Sequence, residues 1–293
     1  MSKSSPYPRH LADARQMGFV SQSIQRALDV IETLSRPAVA HGMTLTELAE
    51  SLDLPKSTTV RLLANLEMRG FVEQDGLRRY RIGMRLFSIG GQALANSHLR
   101  TAARPYLEDL TSRIGESTYL GVLDMDQVLY VDRIESPQPV KSLSPIGSHR
   151  PLNATAVGKV LLAYLDRATA RELLGRRGMA ARTSRTTTEL DELLRQLDEI
   201  AETGLAVDIG EWDDGLTCIA APIFDRGGKV TAALGVSGPS WRLSEQRFDE
   251  VFRLLARNAA EVSRELGHRP GGAPEDGSET DDSETDSSET GEQ

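Results

Sequence analysis

Four apolar residues at helical spacing, Ile24, Leu28, Ile31 and Leu34, predict a helix that Pro37 stops after Arg36. A second pattern follows almost at once. Thr44 with Glu47 three residues on is a capping-box pair, so a helix should open there with Leu48, Ala49 and Leu52 on one face. Pro55 disfavours a helical backbone at Leu54 and suits the first turn of the next helix, so the first should end near Asp53. Thr59, Val60, Leu62, Leu63 and Leu66 then share one broad arc at about 100° per residue, and Ser57, Thr58, Arg61 and Asn65 share the opposite one. Gly70 is a helix terminator. Beyond it, FVEQDGLRRYRIG reads as two short strands about an Asp75-Gly76 turn, with Arg78 and Arg79 beside it.

This order is a helix-turn-helix followed by a basic wing. Hydroxyls, an amide and a guanidinium can donate to phosphates and base edges, and a helix N-terminus adds free amides and partial positive charge. The expected DNA contacts are Ser57, Thr58, Arg61 and Asn65 in the major groove, with Lys56, Arg78 and Arg79 on phosphates. An ordinary two-helix corner with an incidentally basic hairpin is the plainer alternative. Against it, cap, breaker, polar arc and wing all occur here in sequence.

Residues 84–114 have helical character, with interruptions expected at Gly90-Gly91 and at Pro105 and a second helix starting near Pro105. Leu86, Ile89 and Leu94 give the first part apolar positions that either pack on the chain's own domains or meet a second copy. Alternation on either side of 124–127 indicates a hairpin over 117–135, and residues 140–146 read as a further strand. PLNATAVGKVLLAYL, from Pro151, opens polar and becomes an apolar helix; free amides at such a start suit a carboxylate, although any buried helix start looks alike. Residues 166–203 read as helices around a basic, solvated loop, Arg176 to Arg185, with Leu190, Leu193, Leu194 and Leu197 as a core stripe. Strands are expected at 205–208 and on both sides of Asp225 to Gly228, and a last helix from Ser244 carries Phe248, Val251, Phe252, Leu255, Ala259 and Val262. Strands with helices between them and a helix at the end make an α+β domain with a mainly antiparallel sheet.

Composition changes this picture in two places. The 293 residues suffice for two compact domains. Their formal charge of -9 seems wrong for a DNA binder until it is divided: residues 1–92 hold 12 Lys/Arg against 9 Asp/Glu, whereas residues 271–293 hold nine acids and no base. Phosphate attraction falls off within about 10 Å in ordinary salt, so the local balance decides. The expected plan is a disordered start (1–18), a winged domain (19–83), a linker helix (84–100), an effector-binding domain (101–267) and a disordered acidic tail (268–293). The tail, a run of SET repeats, either solubilises the protein or competes with DNA for the basic face. No apolar run approaches the roughly 20 residues of a membrane span, and the first residues lack a signal peptide's apolar core, so a cytoplasmic protein is expected.

Candidate chemistry is sparse. Cys218, the single cysteine, lies mid-strand with none of the five histidines at a motif spacing, which points to packing or a pocket wall. Asp208 stands between Val207 and Ile209; a carboxylate there needs a partner, either a ligand hydroxyl or a loop that it caps. A metabolite-processing enzyme in the second domain is the alternative function, but GxSxG, HExxH and a phosphate-binding glycine loop are all missing. No catalytic residue, cofactor or metal is expected.

SIQRALDVIETL, then TLTELAESLDLPKSTTVRLLANLEMRGFVE, then YRIGMRL, closely resemble the winged domain of the IclR family of bacterial transcriptional regulators. GSHRPLNATAVGKVLLAYL and GLTCIAAPIFDRGGKVTAALGVSGP are similar to segments of the same family's second domain, so the resemblance spans about residues 19–267. It implies a winged helix-turn-helix joined by a helix to a GAF-like effector domain, a dimer or tetramer on a palindromic operator, and a small organic acid, carboxylate or aromatic, that alters DNA binding. The effector positions it implies are Ala156, Val157, Asp208, Leu216, Cys218 and Ser237. Gly235 stands where some carboxylate-binding relatives have serine, which implies a larger or less polar ligand.

Overall fold

The computed structural model describes residues 21–142 and 144–269. The segments read as disordered, 1–18 and 268–293, lie outside the described residues except for 268–269, where the His268 amide donates to the Ser263 carbonyl and the ring stacks on Phe224. The first helices are α1 (Gln22–Leu34), α2 (Leu45–Ser51) and α3 (Lys56–Met68), followed by a hairpin of β1 (Val72–Gln74) and β2 (Tyr80–Ile82). Thr44 caps α2 as expected: its hydroxyl accepts from the Glu47 amide, and the Glu47 carboxylate accepts from the Thr44 amide at 2.7 Å. That second bond, with Arg79 close by, holds the Glu47 carboxyl below its usual range. Val30, Leu34, Leu48, Leu63, Leu66 and Val72 form the core of this unit.

Three details of this unit go beyond the sequence pattern. Ile24 and Leu28 are 62% and 52% exposed, because Val30, Thr33 and Leu34 face the core of the unit instead. Val60 is exposed as well; the buried arc of α3 centres on Thr59, Leu63 and Leu66 and is narrower than the run of apolar letters. In the wing, Arg78 takes the left-handed backbone (φ 58°) and Gly76 does not.

The linker helix α4 (Met84–Ala95) runs unbroken through Gly90-Gly91, and the break comes at 96–97. The next helix, α5 (His98–Ile114), starts on the Ser97 cap and passes through Pro105 without interruption. None of the α4 residues is buried.

The remaining elements are β3 (Ser117–Asp124), β4 (Gln127–Ile134), β5 (His149–Pro151), α6 (Ala156–Ala163), α7 (Arg167–Arg177), α8 (Leu190–Thr203), β6 (Ala206–Ile209), β7 (Leu216–Phe224), β8 (Val230–Pro239) and α9 (Phe248–Glu265). They build an antiparallel six-stranded sheet in the order β5-β4-β3-β8-β7-β6. Residues 140–142 and 144–146 form no strand. Their groups bond to side chains instead: the Tyr119 hydroxyl donates to the Ser142 carbonyl and Arg242 to that of Val140. The edge strand therefore falls after the turn at Gly147 (φ 83°).

Both faces of the sheet are covered. Leu107, Leu110, Val251, Leu255 and Val262 of α5 and α9 meet Leu120, Ile219 and Leu234 on one side. On the other, Val157, Val160 and Leu161 of α6 and Leu193 and Leu197 of α8 meet Tyr130, Ala220 and Ala233. The architecture is a winged helix-turn-helix, a linker helix and a GAF-like α+β domain.

Candidate nucleic-acid interface and ligand pocket

The exposed arc of α3 carries Ser57, Arg61 and Asn65, while Thr58 at its border is half-buried. The side chains of Lys56, Arg61 and Arg78 are exposed and have no ion pair among the described residues. Asn65 donates to the Arg61 carbonyl at 2.7 Å, which leaves its amide oxygen as the outward acceptor. Arg79 is different. It pairs with Glu47 at 3.0 Å and donates from Nε to the Gly42 carbonyl at 3.1 Å, so it ties the wing to the start of α2. Met68 shares the exposed arc and was not singled out by sequence; its long apolar side chain is 79% exposed.

In the second domain, a cavity opens between the start of α6, the sheet and the 208–214 loop. Its hydroxyls come from Tyr119, Tyr130, Ser142, Ser144, Thr155 and Ser237, and its single cation is Arg150. Trp212, Leu216 and Cys218 complete the wall. Of the positions the family pattern implied, Leu216, Cys218 and Ser237 line this cavity, and the Cys218 thiol donates to the Ser237 hydroxyl at 3.0 Å. Burial holds that thiol well above its ordinary value, which fits a wall and not a nucleophile.

Ala156 and Val157 are buried behind Thr155, whose hydroxyl accepts from the Gly158 amide and donates to the Pro151 carbonyl. Asp208 accepts from the Glu211 amide at 2.6 Å, so in this state it caps the loop that carries Trp212. Burial, helped by the Glu211 charge, raises the Asp208 carboxyl to about 7 against that hydrogen bond. Gly235 has a packing reason: a Cβ there would lie 2.9 Å from Val157 Cγ2, so the helix, and not a ligand, occupies the space.

Arg150 and Trp212 carry no local sequence signature, and the fold alone brings them together. The Arg150 and Arg182 guanidiniums lie 4.7 Å and 4.3 Å from the Trp212 ring centroid, one residue from each side of the loop system. The basic loop is solvent-facing as expected, Arg182 included, and Thr183 and Thr186 anchor it by bonding to the Gly210 and Glu211 carbonyls. Beneath, Lys159 pairs with Glu211 and Gln196 in a buried network. In this closed arrangement the cavity measures about 20 Å³, room for roughly one water. A roomier hollow of about 310 Å³ lies beside Arg100, Arg104 and Asp132, but both guanidiniums there are paired with Asp132.

Comparison with known proteins decides the family. Residues 23–76 match the IclR helix-turn-helix domain, and residues 91–264 match the bacterial transcriptional regulator IclR C-terminal domain. The chain belongs to the IclR family. It is 35% identical to the HTH-type transcriptional regulator KdgR of Escherichia coli K12, over 84% of this chain and 94% of that one. It is 32% identical to the HTH-type transcriptional repressor AllR of the same species, over 84% and 91%. Among solved structures, an IclR transcriptional regulator from Alicyclobacillus acidocaldarius aligns with a TM-score of 0.76 at 31% identity, over 85% of this chain and all of that one. An IclR homologue from Microbacterium hydrocarbonoxydans, crystallised with 4-hydroxybenzoate, aligns at 0.73 and 26% identity, over 84% and 99%. This IclR-family chain is thus a DNA-binding transcriptional regulator and not an enzyme, and the family implies a small-molecule effector. No described helix is long and apolar enough to cross a membrane.

Proposed function

We propose that this regulator binds a palindromic operator as a homodimer or homotetramer, and that a small organic acid in the Arg150–Cys218 cavity changes the binding. The observation that carries the DNA half is the exposed, unpaired Arg61 beside Ser57 and Asn65 on α3, with a wing tied to the start of α2. Ser57, Thr58, Arg61 and Asn65 enter the major groove, and Lys56 and Arg78 take phosphates. Arg79 positions the wing, since its guanidinium is already held by Glu47 and Gly42.

The effector half rests on a cavity lined by one cation and six hydroxyl-bearing residues and by no carboxylate. That set matches a hydroxylated or aromatic monocarboxylate. The complex of the Microbacterium hydrocarbonoxydans homologue with 4-hydroxybenzoate supports an aromatic acid. Because the closed cavity holds about 20 Å³, the ligand must shift its walls, and it regulates only by favouring one arrangement over another. A thermal-shift screen of sugar acids, aromatic acids and keto acids tests this half.

Arg61→Ala tests the DNA half on duplexes that the protein selects from a random library. The variant should lose about 1–3 kcal/mol and relax preference at one base position. Equal weakening on every sequence would move Arg61 to the backbone.

A further inference from the structure

Leu77 stands at the tip of the wing with 81% of its surface exposed. One exposed leucine needs no explanation by itself. Its mounting does. The Asp75 carboxylate accepts from the amides of Leu77 and Arg79, each at 2.9 Å. The Asp75 amide donates to the Arg79 carbonyl, the Arg78 amide donates back to Asp75, and the Gln74 side chain donates to the Arg78 carbonyl. These bonds hold Arg78 in left-handed backbone, the conformation that closes a short hairpin loop.

The hairpin is fixed in turn to the DNA-facing helix. The Gly83 amide donates to the Phe71 carbonyl, and a Cβ on Gly83 would lie 2.3 Å from the Gly70 oxygen, so the strand end sits hard against the terminus of α3. At its root, Met43 pairs with Tyr80 and Arg79 grips Glu47. Tip, wing and α3 therefore move as one body, and the tip keeps a fixed offset from any groove that α3 enters.

From this mounting, and resting on the DNA-binding reading above, we infer that Leu77 is an apolar wedge for the minor groove flanking each half-site, with Arg78 as its phosphate anchor. The walls of that groove are the apolar faces of the sugars, and an inserted leucine unstacks a base step at least cost where the step is a flexible pyrimidine–purine one. A rigid loop loses little freedom on insertion. Leu77 thus sets a sequence preference outside the bases that α3 reads.

The experiment compares wild type, Leu77→Ser and Arg78→Ala on duplexes selected by the wild type from a random library, with affinity measured across salt and bending measured by fluorescence energy transfer. Leu77→Ser should bind about tenfold more weakly, bend the duplex less and lose the flanking-step preference while keeping the core bases. Its salt slope should match wild type, because no charge was removed, whereas Arg78→Ala should reduce the slope by about one per protomer. Wild-type affinity, bend and flanking preference in Leu77→Ser would overturn the wedge and leave the DNA-binding reading standing. Failure of the wild type to select any duplex would overturn both. Unchanged thermal midpoints of the variants exclude misfolding.

Discussion

Asp208 shows how one side chain links loop, pocket and pH. An unfolded aspartate titrates near 3.9, whereas burial lifts Asp208 to about 7 in the fold. Between those values the native state binds more protons than the unfolded one, so this group makes stability fall as pH rises through about 4 to 7. Asp208→Asn keeps an oxygen for the Glu211 amide and removes the titration. Denaturation across that window should therefore show a flatter pH dependence for the variant, the two proteins diverging by about 2–4 kcal/mol. Parallel curves would assign the proton elsewhere. Both partners for Asp208 were legible in its apolar strand setting, but only the fold shows that the loop amide fills the role. Arg150 and Trp212 were not legible: they lie 62 positions apart, and no periodicity connects a β5 residue to a loop after β6.

Elements were legible where a pattern had a local physical cause. The α2 cap, the Pro55 break and the Gly70 stop are each decided within a few residues, and each falls where the sequence placed it. The interruptions expected at Gly90-Gly91 and Pro105 are absent because those residues were weighed by intrinsic cost alone. Helix α5 packs Ala103, Leu107 and Leu110 into the core across Pro105, and that burial outweighs one missing hydrogen bond. The exposed stripes follow a different logic. Ile24, Leu28, Met84 and Phe87 lie on α1 and α4 without burial, and Phe87 is 74% exposed. A second copy is the proposed occupant, as two half-sites require two winged units. Phe87→Glu should shift the protein toward monomer in light scattering at micromolar concentration. The same change should weaken binding to a two-half-site duplex by at least tenfold while sparing a single half-site. An unchanged mass would place the interface on other surfaces.

Charge is a property of the whole molecule, and here its distribution matters more than its sum. The winged half has a small positive excess, +3 over residues 1–92, whereas residues 271–293 carry nine acids and account by themselves for a charge equal to the protein's total of -9. A regulator with so weak a basic field gains little affinity from bulk phosphate attraction, so specificity must come from paired half-sites and the few free cations, Lys56, Arg61 and Arg78. An acidic segment covalently attached to such a face is present at high effective concentration and competes best with sequences that offer only phosphates. If that competition operates, removing residues 271–293 should tighten binding to random duplex several-fold at low salt, and the gain should vanish near physiological salt as screening shortens the range. Binding to the selected operator should change less, because base contacts give the operator an advantage that the tail cannot mimic. Equal affinities for random duplex with and without the tail, measured by anisotropy at low salt, would leave the segment a solubilising role and nothing more.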